Sequence, residues 1–312
     1  MSDLIEVIQA DVLEFRADVL ALKYAQNYYG ADQVVASLLI NRGIVSADDI
    51  QPAPNSFRWV DTRGALPSSS VLFIGVPPLV NFSYLQIQEF TRRAILTTTR
   101  DRPDARHLVT TLHGPGIGLD EIEALHAEVR GIFSALNGHE TAGSLVRISI
   151  VERNAERVKR LRAALFEAQQ GAQILIGQYR TERKPRAFVA MPFSPDMEDV
   201  FYYGIQNPVR QLGYVCERVD QEAFTGDILD QVKSRIENAE VVIADLTGAN
   251  PNVYLEVGYA WGKARPTVLV IKKAEQLRFD IQGQRCLQYQ SIKDLETRLT
   301  NELKNLAPSK KS

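Results

Sequence analysis

The chain has 312 residues, 45% hydrophobic and 24% charged, values ordinary for a soluble globular protein and wrong for a disordered one. Thirty-six basic against 38 acidic side chains leave a net charge of −2, which argues against a protein built to coat nucleic acid, and the length favours two domains over one. Two cysteines with no C-x-x-C, four scattered histidines and no apolar run near the ~20 residues that cross a bilayer exclude a disulfide framework, a recognisable zinc site and a membrane span.

From the amino terminus, MSDLIEVIQADVLEF has neither a basic leader nor a long apolar stretch, so a cytoplasmic protein is expected. Apolar runs predict strands at Leu4–Ile8, Val19–Lys23, Val71–Gly75, Leu108–Leu112 and Val146–Val151. Helical periodicity appears at Asp32–Leu39, Ser83–Thr97 and Glu121–Leu136. Strands alternating with helices mean βαβ units and a mostly parallel sheet.

Glu152–Arg186 changes character, with nine Lys/Arg against four Asp/Glu. It reads as a closing helix, Glu156–Gln170, followed by a polar connector. The boundary falls near Lys184-Pro185, because the residue before proline is pushed out of helix. Domains 1–180 and 185–312 follow. The basic stretch Arg157–Arg162 is most simply a solvated helix face, and otherwise a seat for an acidic partner or a second protomer.

The second series predicts strands at Ala187–Ala190, Tyr214–Glu217, Val241–Asp245 and Thr267–Lys272. Its helices are Met197–Leu212, kinked at Pro208, then Asp227–Asn238, Pro251–Lys263 and Ile292–Leu306, with a frayed tail over Pro308–Ser312. Cys216 and Trp261 are expected in the core.

The most informative stretch is VVIADLTGANPNVYLEVGYAWG. Its strand stays apolar until Asp245, which places that carboxylate at the carboxyl end of the sheet, where ligands bind in open α/β folds. Asn250-Pro251 is a well-specified helix start, since Asn caps and Pro suits the first turn. Glu256 follows in the second turn and leans back toward the same crevice. Gly258 and Ala260 would let the helix pack close to the sheet. From spacing alone Glu256 is as readily a solvated residue, or one bonded to the turn, as a functional acid.

The order AFVAMPFS, GYVCERVD, TGDI, ADLTGANPNVYLEVGYAWG and PTVLVI, covering about Arg186–Lys273, resembles the superfamily that joins nucleoside 2-deoxyribosyltransferase-like proteins and bacterial TIR-like domains. The resemblance implies a flavodoxin-like parallel sheet and a helix glutamate that attacks or stabilises the anomeric carbon as an N-glycosidic bond breaks. That glutamate falls on Glu256. It also implies Asp245 as a polar residue on the sugar, or a general acid, and Phe193-Ser194 in the loop approaching base or ribose. Arg218 and Asp220 then line one edge of the pocket, although a surface pair after a strand is an equal reading. Asn250 and Asn252 belong to the same binding element, and the helix start at Gly226-Asp227-Ile228 could meet a phosphate.

The first domain is similar to a macro domain, or to the amino-terminal domain of leucyl aminopeptidases, over about residues 4–165. The segments are IEVIQADVLEFRADVLALKYAQN, YYGADQVVASLL, VLFIGVPP and HGPGIGLDEIEALHAEVRGIF. This implies a second three-layer α/β domain that reads ADP-ribose-like nucleotides. Asp11 would meet adenine, and Gly114, Gly116 and Gly118 would cradle phosphate; the plain alternative for HGPGIG is an ordinary strand-to-helix turn. LKYAQN and the single Gly30 depart from the family's asparagine- and glycine-rich loops, which favours sensing or assembly over hydrolysis. His113 is the only histidine beside a candidate site.

The implied function is an NAD glycohydrolase-type effector. It needs no cofactor and no metal, takes NAD as substrate, is gated by a nucleotide or by self-association into a homo-oligomer, and acts in bacterial antiviral defence. A nucleoside N-glycosidase or 2-deoxyribosyltransferase, and a non-catalytic nucleotide-binding module, are the competing expectations.

Overall fold

The Val-, Ile- and Leu-rich runs collect into two sheets, one in each of two units, Met1–Arg180 and Thr181–Ser312. The computed structural model describes residues 4–136, 145–175, 184–219, 228–273, 275 and 283–306. Among these, no helix is long and apolar enough to cross a membrane.

Unit 1 runs β1 (Ile5–Gln9), β2 (Val19–Tyr24), α1 (Gly30–Asn41), β3 (Phe57–Asp61), β4 (Ser70–Gly75) and α2 (Tyr84–Asp101). It continues with β5 (His107–Thr111), α3 (Glu121–Leu136), β6 (Arg147–Glu152) and α4 (Ala155–Leu175). The sheet order is β1-β6-β5-β2-β4-β3, parallel except where β3 runs antiparallel to β4. Strands β2 and β4 are buried at every position, the mark of strands covered on both faces. The extra strand β3 shows no clean alternation, since only Val60 of FRWVD is buried. It is an edge, held because the peptide groups of β4 need partners on that side.

On one face, Val35, Ala36 and Leu39 of α1 share a core with Leu20, Leu22, Phe73 and Val109. The two-residue period of a strand therefore turns Ala21 and Lys23 to the other face. Helices α2 and α3 touch at Gly131, where a Cβ would sit 2.3 Å from the Gln88 carbonyl oxygen. The basic stretch of α4 is more than a solvated face. Arg157 and Arg160 both grip the buried Glu121 at the start of α3, at 3.1 and 2.6 Å, and Arg162 donates to the Val7 carbonyl at 2.8 Å.

Unit 2 runs β7 (Arg186–Ala190), α5 (Asn207–Gln211), β8 (Val215–Glu217), α6 (Ile228–Asn238), β9 (Val241–Asp245), α7 (Pro251–Gly262), β10 (Thr267–Lys272), β11 (Cys286–Tyr289) and α8 (Ile292–Leu306). All five strands are parallel in the order β11-β10-β9-β7-β8. Counted from the first strand of the unit, this is the flavodoxin-like order 2-1-3-4-5. One face is filled by Met197, Phe201, Ile205, Leu295 and Leu299, the other by Val232, Ile236, Val253, Val257 and Ala260, which makes three layers.

In unit 2, four features differ from the sequence reading. The helix expected over Met197–Leu212 contains a π-helical stretch, Val200–Gln206, ahead of α5. Pro208 has no N–H for the carbonyl four residues earlier and its ring crowds that group, so the chain widens there instead of simply kinking. Strand β11 is an additional parallel edge. Trp261 is 40% exposed, because α7 turns Val253, Val257 and Ala260 to the sheet and Trp261 lies off that stripe. Gly258 is likewise exposed, with open space where a Cβ would be, so close packing rests on Ala260 alone. Cys216 is buried as expected. Asp220, Gly226, Asp227 and the tail 307–312 lie outside the described residues.

Candidate functional site

In the order 2-1-3-4-5 the chain reverses direction between its first and third strands, here β7 and β9, and ligands bind outside the carboxyl ends of strands at such a point. Two segments leave the sheet there. One is Met191–Ser194 after β7; the other is the turn Leu246–Asn250 after β9.

After β7, Phe193 and Arg218 come together. The Arg218 guanidinium carbon lies 4.7 Å from the Phe193 ring centroid and 3.9 Å from that of Phe201. Its Nη2 donates to Glu198 Oε1 at 3.0 Å and its Nη1 to the Met191 sulfur at 3.7 Å, which leaves the side chain 11% exposed. Two rings and a carboxylate hold the planar fork in one orientation at the end of β8. Ser194 begins the 3₁₀ turn Pro195–Met197, and its hydroxyl bonds the Asp196 carboxylate and lowers that group's pKa.

After β9, Asp245 is fully buried. Its Oδ1 accepts the Thr247 amide at 3.0 Å and its Oδ2 accepts the Tyr289 hydroxyl at 2.8 Å. The Thr247 hydroxyl in turn accepts the Lys272 amide at 3.1 Å. Burial raises the Asp245 pKa, opposed by the bonds from Thr247 and Tyr289. Asp245 therefore ties three neighbouring strands to the turn. In that turn Gly248 and Ala249 both have positive φ, 75° and 48°. The non-glycine residue is held at a cost of order 1 kcal/mol. Asn250 then caps α7, its side chain accepting the Asn252 amide at 2.9 Å, with Pro251 at the first helical position.

Glu256 lies one turn further, on the inner face of α7 beside Val253, Val257 and Ala260, and is 8% exposed. The solvated-helix reading of Glu256 is thereby removed. Asn252 is exposed at the helix mouth and Asn250 half-buried. Tyr289, Glu198 and Phe201 were not site candidates from sequence. Tyr289 sits on a four-residue strand with only its own side chain buried, which leaves no periodic signal to read.

In unit 1, Asp11 is half-buried after β1, its Oδ1 accepting the Leu13 amide at 2.9 Å and its Oδ2 lying 3.3 Å from Arg153. The loop His113–Gly118 leaves β5, with φ of 111° at Gly114 and 86° at Gly118, values open chiefly to glycine. Within it the Ile117 and Leu119 amides bond the Gly114 carbonyl, and the Gly118 amide bonds that of Pro115. Gly116 is exposed, with nothing within 4 Å of a Cβ built on it.

Beneath this loop lies a cluster that sequence reading missed apart from His113. Lys23 of β2, Asp32 of α1, His113 and Glu128 of α3 are all under 10% exposed. Lys23 pairs with Asp32. Glu128 Oε1 accepts the His113 backbone amide at 3.0 Å and sits 3.2 Å from its Nδ1, while His113 Nε2 is 4.0 Å from Asp32 Oδ1. Among the described residues, Asp32 Oδ1, His113 Nε2 and Glu128 Oε2 are buried without a hydrogen-bond partner. Burial drives the His113 pKa well below its ordinary value and that of Glu128 up to about 8. No group of three His, Cys, Asp or Glu among the described residues is arranged to hold a metal ion.

No protein-family model matches the chain, and no curated protein matches it. Among solved structures, the chain is similar to a Trypanosoma brucei macrodomain in complex with ADP, at 17% identity over 52% of this chain and 69% of that one, with a TM-score of 0.41. The same macrodomain in complex with ADP-ribose aligns at 15% identity over 52% and 68%, with a TM-score of 0.40. The bottromycin maturation enzyme BotP aligns at 10% identity over 92% of this chain and 89% of its own, with a TM-score of 0.33. At such distances the geometry of the strand ends, and not the likeness, carries the functional reading.

Proposed function

We propose that unit 2 hydrolyses the N-glycosidic bond between nicotinamide and ribose in NAD, with Glu256 as the catalytic carboxylate, and that unit 1 is a nucleotide-reading module. The observation that carries this reading is the placement of Glu256. It is a buried acid on the inner face of the helix that springs from the switch point of a flavodoxin-ordered sheet. As the C–N bond breaks, nicotinamide leaves with the electron pair as a neutral molecule. The ribosyl cation that remains is stabilised or trapped by the Glu256 carboxylate, and water adds at that carbon and releases a proton.

The engagement of Asp245 supports NAD over a neutral nucleoside. Both of its oxygens are occupied by Thr247 and Tyr289, which suits an anchor that aims α7 better than a proton donor. A cationic nicotinamide needs no proton to depart; a neutral base gains from one. Arg218, fixed between Phe193 and Phe201, would meet the nucleotide phosphates, with Ser194, Asn250 and Asn252 at the mouth. In unit 1, the Gly114 and Gly116 amides would face a phosphate, since those of Ile117, Gly118 and Leu119 are used within the loop.

The test is nicotinamide release from NAD by the purified full chain, alone and with ADP or cyclic nucleotides added, beside a panel of deoxynucleosides. Release from NAD supports the reading. Base release from deoxynucleosides with NAD untouched transfers it to nucleoside chemistry, and tight nucleotide binding without turnover replaces it with a binding module.

A further inference from the structure

The cluster beneath the glycine loop of unit 1 takes no part in the proposed chemistry, yet it is built at considerable cost. Four ionisable side chains from four different segments are withdrawn from water, and each partnerless polar atom costs about 1–3 kcal/mol. A low-dielectric interior tolerates such a set most readily when its charge sums to zero. Lys23 and Asp32 cancel as an ion pair. His113 and Glu128 then reach neutrality by holding one proton between them, either as imidazolium and carboxylate or as neutral imidazole and carboxylic acid.

Lys23 faces the pair from β2 and Asp32 from α1, and from α2 the Phe90 ring lies 4.4 Å from the imidazole. Tyr28 stands near Asp32 on the segment before α1. Removing the shared proton leaves one uncompensated negative charge. That charge sits on the carboxylate that already holds the His113 amide, one residue from Gly114.

We propose that the His113–Glu128 pair is a proton gate for the 113–118 loop, so that a phosphate-bearing nucleotide binds unit 1 only with the pair protonated and draws a proton in when it is absent. This rests on the reading of unit 1 as a nucleotide binder and adds its regulation. A phosphate at the Gly114 and Gly116 amides brings negative charge close to Glu128, so ligand and proton help one another by linkage. The pair holds its proton up to about pH 8, which puts the gate just above neutrality.

The probe is ADP, whose phosphates have finished ionising below pH 8, titrated calorimetrically into the full chain from pH 6.5 to 9.5. At pH 8, two buffers of different ionisation enthalpy give proton uptake directly. The expected result is uptake of about half a proton per ADP at pH 8, rising towards one at higher pH, and affinity falling about tenfold per pH unit well above pH 8. In Glu128→Gln, uptake vanishes and affinity is flat with pH. Binding that is pH-independent in the wild type, or equally pH-dependent in Glu128→Gln, overturns the gate while leaving nucleotide binding intact. Absence of ADP binding at pH 6.5 overturns the nucleotide reading and the gate with it. If Glu128→Gln does not fold, wild-type uptake in the two buffers decides alone.

Discussion

Replacing Glu128 by Gln keeps the shape and the acceptor for the His113 amide but removes the titration, so the buried pair can be weighed by stability against pH. Burial raises the Glu128 pKa from 4.5 to about 8 and depresses that of His113 from 6.5. A raised group stabilises fully below its unfolded value and loses that contribution as pH climbs through its folded one; a depressed histidine contributes above 6.5 and loses it on acidification. Between 4.5 and 6.5 the two slopes cancel, because folded and unfolded chains each hold one proton on the pair. Between pH 6.5 and 8 only the folded chain holds it, and stability falls by about 2 kcal/mol. The assay is urea denaturation of the full chain carrying Trp261→Phe. Trp261 is exposed and its loss is tolerable, while Trp59, whose indole donates to Asp101 at 3.1 Å, then reports unit 1 by itself. The wild-type background should lose about 2 kcal/mol over that window that the Glu128→Gln protein does not lose. Parallel profiles for the two proteins would refute the assignment of the shared proton.

Two further outcomes follow from unit 2. Tyr289→Phe removes the donor to Asp245 and leaves a buried carboxylate oxygen without it, so urea denaturation followed at Trp261 in a Trp59→Phe chain should show a loss of about 1–3 kcal/mol, with unit 1 unchanged. Arg218→Lys keeps the charge and loses the planar stack on Phe193 and Phe201. Steady-state kinetics should give a KM for NAD several-fold higher with kcat little altered; unchanged KM removes Arg218 from nucleotide recognition.

The sequence is most legible where one short stretch carries its own structure. Apolar Val241–Ala244, the terminal Asp245 and the Asn250-Pro251 start together specify a strand, a turn and a helix, whereas spacing left Glu256 open between solvent and crevice until packing buried it. Trp261 illustrates the limit, because α7 is apolar on more than one face and only packing decides which face the sheet takes. Two of the four edge strands, β3 and β11, were less legible still. FRWVD and CLQY bury one side chain each, so neither shows the period by which a strand is recognised. The Lys23–Asp32–His113–Glu128 cluster was out of reach for a different reason. Its members lie up to 105 positions apart, and they meet only because β2 and β5 are neighbours in a sheet whose order no local pattern encodes.

Whether Glu256 breaks the nicotinamide–ribose bond is decided by the nicotinamide formed from NAD by wild-type and Glu256→Gln proteins at matched folded concentration. The wild type should release it, with or without an added nucleotide, and the variant should lose about a hundredfold or more with its urea midpoint preserved. Full activity in Glu256→Gln contradicts the assignment, and a wild-type chain that releases no nicotinamide under any of these conditions contradicts the activity itself.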